Sequence, residues 1–74
     1  MEKRISEMDH NEEAIVKSID EDLKLKVAGM GIRVGKNLKM ITKHPMKGPV
    51  VVSVDGANTS LGLGVADKII VEVK

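Results

Sequence analysis

The run Val50-Val51-Val52-Ser53-Val54-Asp55-Gly56 constrains the fold most, because it predicts a strand that ends in a tight hairpin. β-Branched side chains favour strands, and Asp-Gly is a dipeptide that suits a type I′ turn. We therefore expect a strand over Val50–Val54 and a return strand over Ala57–Leu61. Ile and Val supply 17 of the 31 hydrophobic residues, so the rest of the chain is also expected to be rich in strand.

Two alternating runs, residues 12–19 and 36–43, predict the first and second strands. Side chains at every second position are expected to share one face of each strand. These are Ala14, Val16 and Ser18 in the first strand, and Leu38, Met40 and Thr42 in the second.

A helix is predicted between these two strands. Asp20 is a good N-cap residue, and Glu21 and Asp22 bring negative charge to the first turn. The apolar stripe consists of Leu23, Val27 and Met30. Gly31 is expected to end the helix in a left-handed conformation, and Gly35 to open the next strand.

The remaining segments are connections, the last strand and the N-terminal residues. The length of 74 residues predicts that all of them belong to a single small domain. Gly48 and Pro49 belong to a connection before the valine strand, and residues 62–67 allow a short helical turn. Residues 69–73 predict the last strand, whereas residues 1–11 are charged and are expected to form a loosely ordered arm in which Ile5 and Met8 are possible anchors. The predicted fold is mainly β: a small barrel of about five short strands over residues 12–74, with one α-helix between strands 1 and 2 and a short helical turn before the last strand.

Composition excludes several classes of function. The chain has no Phe, Trp or Tyr, the rings that base-stacking platforms and proline-peptide grooves require. It has no cysteine, which excludes disulfide frameworks and thiolate catalysis. Its 12 basic and 11 acidic residues are too balanced for a protein held on nucleic acid by charge. No apolar run reaches the roughly 18 residues of a membrane span.

Three motifs occur in the order and spacing of one known family. They are VAGMGIRVG over residues 27–35; Pro45 with Gly48, Pro49 and the valine strand; and Leu61 with Ala66 and the last strand. Together they resemble the FeoA family over residues 12–74. The sequence departs from the family pattern at Val27, where Leu is usual, and at Gly62, where a basic residue is common.

This resemblance implies an SH3-like barrel and a cytoplasmic accessory protein of ferrous iron uptake. It also implies a partner, FeoB, a membrane iron permease with a cytosolic GTPase domain. The same module occurs at the C-terminus of DtxR-type repressors, but residues 1–11 are too few for a helix-turn-helix, so the stand-alone form is expected. Three alternatives stay open: a free-standing metalloregulator-type module, an RNA- or ribosome-associated small barrel, and a self-assembling homo-oligomer.

Two sets of residues are candidates for contact with a partner. The first set lies on the predicted helix: Leu25, which falls off the apolar stripe and is the better candidate, with Val27 and Met30, which are interpreted as core residues before contact residues. The second set is a basic stripe that includes Lys39, Lys43 and Lys47. These lysines would face an acidic partner, or they would form the solvated face of a half-buried strand and discourage edge pairing.

No pattern in the sequence predicts catalysis or a resident cofactor. No nucleophile is spaced with a base, so the chain is not expected to be an enzyme. Iron or another transition metal is compatible with the resemblance, but the run Asp9, His10, Glu12 and Glu13 is interpreted as a solvated acidic segment. Gly29, Gly31 and Gly35 end a helix and open a strand, so they do not form a phosphate-binding fingerprint.

Overall fold

A computed structural model describes residues 1–43 and 48–74. In this part of the chain, six antiparallel strands form one sheet in the order β1-β6-β2-β3-β4-β5. The strands are β1 Glu2–Arg4, β2 Glu13–Ile19, β3 Asn37–Lys43, β4 Val50–Val54, β5 Ala57–Leu61 and β6 Ile69–Val73. The helices are α1, Lys24–Ala28, and α2, Leu63–Ala66, and 3-10 turns span Ile5–Glu7 and Glu21–Leu23. The prediction of a mainly β fold is confirmed.

The sheet encloses a single core of aliphatic and methionine side chains. Every strand from β2 to β6 contributes to it, and Val27 of α1 and Ile32 after it are fully buried. No charged or polar residue is buried in the described ranges, so the core is held by apolar contact alone.

The valine hairpin has the predicted geometry. Val54 pairs with Ala57, and the two residues between them, Asp55 and Gly56, have φ values of 53° and 83°. Positive φ at both central positions is what a type I′ turn requires. Strong local turn chemistry thus fixes β4 and β5 as neighbours.

The predicted helix is present with its cap, although its α-helical part is short. The Asp20 carboxylate accepts a hydrogen bond from the Asp22 N–H at 3.1 Å, which starts the 3-10 turn that leads into α1. Gly31 has φ +85°, and its N–H donates to the Ala28 carbonyl at 3.0 Å. The Ile32 N–H donates to the Val27 carbonyl at 3.0 Å, so the chain folds back over the helix end.

Two irregularities in the sheet overturn part of the predicted face assignment. Ser18 and Thr42 were each expected on the same face as the two alternate residues before them, which are buried, but both are exposed. The pairing register shifts between Val16 and Ser18 in β2 and between Met40 and Thr42 in β3, which leaves one extra residue in each strand. Because of such a bulge, the side chains that follow it lie on the opposite face of the sheet. Ile19 is therefore buried in place of Ser18.

The first eleven residues differ from the predicted loose arm. Glu2–Arg4 pairs with β6 as β1, which accounts for the sixth strand. Ile5 and Met8 are completely buried, and the Lys3 ammonium lies 3.0 Å from a Glu12 carboxylate oxygen. A three-residue charged strand carries no alternation, so the sequence does not predict β1, whereas the burial of Ile5 and Met8 agrees with their interpretation as anchors.

Replacing Gly31 by Ala is expected to lower the free energy of unfolding by about 1–2 kcal/mol, because a Cβ disfavours the left-handed conformation. A Cβ at this position would be 3.9 Å from Val54 Cγ1, so strain in φ and not a clash sets the cost. Urea denaturation measures the change. Gly64→Ala is the matched control, because that glycine lies in α2 with open space around it and without a positive φ. Equal free energies of unfolding of the two variants would contradict the assignment of the cost to the positive φ of Gly31.

Acid is expected to weaken the anchor between the first residues and β2. The pKa of Glu12 is lowered, first because it accepts the Asp9 N–H at 2.8 Å and then because of the Lys3 ammonium. A carboxyl whose pKa is lowered by folding stabilises the protein above its unfolded pKa, and this contribution is lost as pH falls through the folded pKa.

Glu12→Gln is therefore expected to have a lower Tm than the unaltered protein at pH 7, and the Tm difference is expected to shrink towards pH 3 as the pH falls through the lowered pKa of Glu12. Thermal melts of both proteins at the two pH values measure this. A Tm difference that stays constant between pH 7 and pH 3 would contradict the assignment.

Candidate docking groove

An open groove of about 330 Å³ lies where the end of β2, helix α1 and the loop after α1 meet. Its lining is mostly apolar, with two cationic side chains. The apolar residues are Ile19, Leu25, Ala28, Ile32 and Val34, and the cations are Lys24 and Arg33. A concave apolar surface with a few charged groups is the usual form of a binding site. We call these seven residues the docking groove.

Two large apolar side chains of the docking groove are strongly exposed. Leu25 is 92% exposed and Val34 is 58% exposed. On a helix, positions two apart point to different sides, so the burial of Val27 in the core turns Leu25 to solvent. The groove therefore presents apolar surface that folding leaves uncovered.

The loop that carries Val34 is fixed by backbone hydrogen bonds. The Gly35 N–H donates to the Val16 carbonyl at 2.9 Å, and the Val16 N–H donates to the Lys36 carbonyl at 2.9 Å. The Lys36 N–H also donates to the Arg33 carbonyl at 3.0 Å, which closes a turn around Val34. Gly35 permits this path because its φ is +92°. The backbone that carries the exposed Val34 side chain is thus held by hydrogen bonds.

The two cations of the docking groove differ in their partners. Lys24 lies 3.0 Å from a Glu21 carboxylate oxygen, one turn earlier. No acidic group within residues 1–43 and 48–74 comes within 4.0 Å of the Arg33 guanidinium, whereas the neighbouring Lys36 reaches Asp55 at 2.9 Å. The charge of Arg33 is therefore available beside the apolar surface.

The other predicted contact residues do not line this groove. Val27 is completely buried, so it is part of the core, as its first interpretation has it, and it is not a contact residue. Met30 is half-buried and packs against the core. Lys39 is exposed and Lys43 half-buried on β3, and Lys47 lies outside the described residues.

The lysines of β3 do not guard a sheet edge, because β3 lies between β2 and β4. The two edges of the sheet are β1 and β5. This corrects the expectation that the lysines discourage edge pairing, and it leaves them on an interior strand.

The residues predicted to cap and turn the chain occupy the expected places. Asp20 caps the turn before α1, and Gly31, Gly35 and Gly56 all have positive φ. Gly48 and Pro49 lie just before β4, outside any helix or strand.

The acidic segment does not assemble a metal site. In residues 1–43 and 48–74, no three His, Cys, Asp or Glu side chains come together in a way that could hold a metal ion. Glu12 binds Lys3, and His10 Nε2 accepts a hydrogen bond from the Lys43 N–H at 3.4 Å. Across the same ranges, no helix is long and apolar enough to cross a membrane.

The described residues thus form a small β-sheet around one apolar core, with an open apolar groove at the end of β2. Residues 3–73 match the family model described as the FeoA domain. The chain belongs to the FeoA domain family.

The relatives agree with this assignment. The chain is 43% identical over 63 residues to a protein of Methanocaldococcus jannaschii named Fe(2+) transport protein A, a match that covers 82% of this chain and 74% of that protein. The crystal structure of an iron uptake regulatory protein, FeoA, superposes with a TM-score of 0.91 at 31% identity, over 100% of this chain and 99% of the other.

A manganese-dependent transcriptional repressor shares the fold. It superposes with a TM-score of 0.89 at 20% identity, over 99% of this chain and 42% of the repressor. These likenesses confirm the SH3-like barrel that the resemblance implies.

Proposed function

We propose that this protein is a small, non-enzymatic, cytoplasmic accessory protein of ferrous iron uptake that docks on an FeoB-like membrane permease. The observation that carries the proposal is the docking groove, with Leu25 and Val34 exposed beside it on a chain of the FeoA domain family. Exposed apolar patches with polar surroundings are typical of protein interaction sites. The relative named Fe(2+) transport protein A supports ferrous iron transport as the process.

Binding alone accounts for an effect on the permease. A ligand shifts a conformational equilibrium only through its different affinities for the two states. Docking that favours one nucleotide state of the permease's GTPase domain would therefore alter its assembly or its GTPase cycle. No group of this chain needs to take part in chemistry.

Affinity purification from detergent-solubilised host membranes tests the proposal. The tagged protein is used under anoxic conditions, with and without a non-hydrolysable GTP analogue. We expect recovery of a membrane permease that has a GTPase domain, in an amount that changes with the nucleotide. Recovery of RNA or ribosomal proteins without the permease would contradict the proposal and favour the RNA-associated alternative.

A further inference from the structure

We propose that the docking groove receives an apolar segment of the permease that carries a carboxylate, and that Arg33 selects this carboxylate. The inference rests on the proposed docking function and deepens it, because it gives the chemistry of the docked segment. Arg33 is a specificity determinant in this account, and Leu25 is the apolar anchor.

The charge around the groove has one sign. Both charged residues of the lining are cations, and no acidic residue of the described ranges lines it. Lys24 is partly neutralised by Glu21, but no acidic group in the described ranges pairs with Arg33. An anionic group on the incoming segment would complete the pairing that the folded chain leaves open.

Arg33 directly precedes Val34, an apolar residue of the lining that is exposed. A segment that covers Val34 removes water from the adjacent guanidinium as well. Pairing with a carboxylate then compensates the loss of water, because charge-assisted hydrogen bonds are stronger than neutral ones. An uncharged or basic segment would cover Arg33 and leave its charge without a partner. Binding of such a segment is therefore disfavoured.

The backbone already holds Arg33 in place. Its carbonyl accepts the Lys36 N–H at 3.0 Å, and the same turn is tied to β2 through Gly35 and Val16. A fixed backbone reduces the entropy lost on binding. The planar guanidinium also matches a carboxylate with two parallel hydrogen bonds, which a lysine cannot provide.

Two small probes test this chemistry without the permease. Octanoate and octylammonium have the same apolar chain and opposite charges, and each is titrated into the ¹⁵N-labelled protein by NMR. We expect octanoate to shift the amides of Leu25, Ala28 and Ile32 and to bind about three- to fivefold more tightly than octylammonium, the range of an exposed ion pair. In Arg33→Gln this preference is expected to fall below about twofold.

Lys39→Gln is the matched control, because it removes an exposed cation from β3, outside the docking groove. It is expected to keep the full preference for octanoate. Equal binding of the two probes, shifts away from the groove, or an unchanged preference in Arg33→Gln would each overturn the inference. The probes do not involve the permease, so these results are independent of the affinity purification that tests the proposed function.

Discussion

Replacing Leu25 by Asp is expected to weaken binding to the permease's cytosolic domain by roughly 30-fold or more while the barrel stays folded. Leu25 is 92% exposed, so the substitution removes almost no contact from the folded chain. Surface substitutions of this kind change stability by about 0.5 kcal/mol or less. An apolar anchor at the centre of an interface contributes about 2 kcal/mol or more, which corresponds to a loss of roughly 30-fold in affinity. Calorimetric titration measures this loss.

The matched control for Leu25→Asp is Ala57→Asp, which also adds a carboxylate at an exposed apolar position. Ala57 lies in β5 and does not line the docking groove. It is expected to bind with the affinity of the unaltered protein, whereas Val34→Asp is expected to bind more weakly, like Leu25→Asp. Unchanged affinity in a folded Leu25→Asp variant would refute docking at this groove.

Replacing Ile5 by Ala is expected to lower the free energy of unfolding by about 2–5 kcal/mol, the range for truncating a buried aliphatic side chain. Ile5 is completely buried, in agreement with its interpretation as a possible anchor of a segment whose composition otherwise predicts a loose arm. Domains of this kind have about 5–15 kcal/mol in total, so the loss is a large fraction of the stability. Urea denaturation followed by circular dichroism gives the value.

Glu2→Ala provides the comparison for Ile5→Ala, because Glu2 lies in the same segment and is exposed. It is expected to change the free energy of unfolding by about 0.5 kcal/mol or less. If both variants had the stability of the unaltered protein, the first residues would be loosely held in solution, as the composition predicts.

The elements that the sequence predicts well are those fixed by neighbouring residues. The Asp55-Gly56 turn, the Asp20 cap and the left-handed Gly31 each depend on two or three adjacent positions, and all three occur as predicted. Local backbone preferences are sufficient there, because the required φ values or hydrogen bonds involve no distant residue.

The elements that differ depend on residues far apart in the chain. Ser18 and Thr42 are exposed because an extra residue enters β2 and β3 opposite their partner strands. Alternation within one strand contains no sign of such a bulge. β1 forms because Glu2–Arg4 meets β6 at the other end of the sequence.

The candidate site was predictable in part. Leu25 follows from the helical stripe, because it is the apolar residue that falls off it. Arg33 and Val34 were not singled out, since their exposure beside the helix depends on hydrogen bonds from the loop to β2. Two glycines with positive φ, Gly31 and Gly35, enclose these residues, and that spacing is the signal that could have identified the loop.

NMR mapping of the protein with the permease's cytosolic domain tests the central claim most directly. The ¹⁵N-labelled chain is titrated with the unlabelled domain, and the amides that shift or broaden are identified. The account predicts that these amides belong to the docking groove, centred on Leu25, Ile32 and Val34. Changes confined to the outer face of β3, around Lys39 and Lys43, would contradict it.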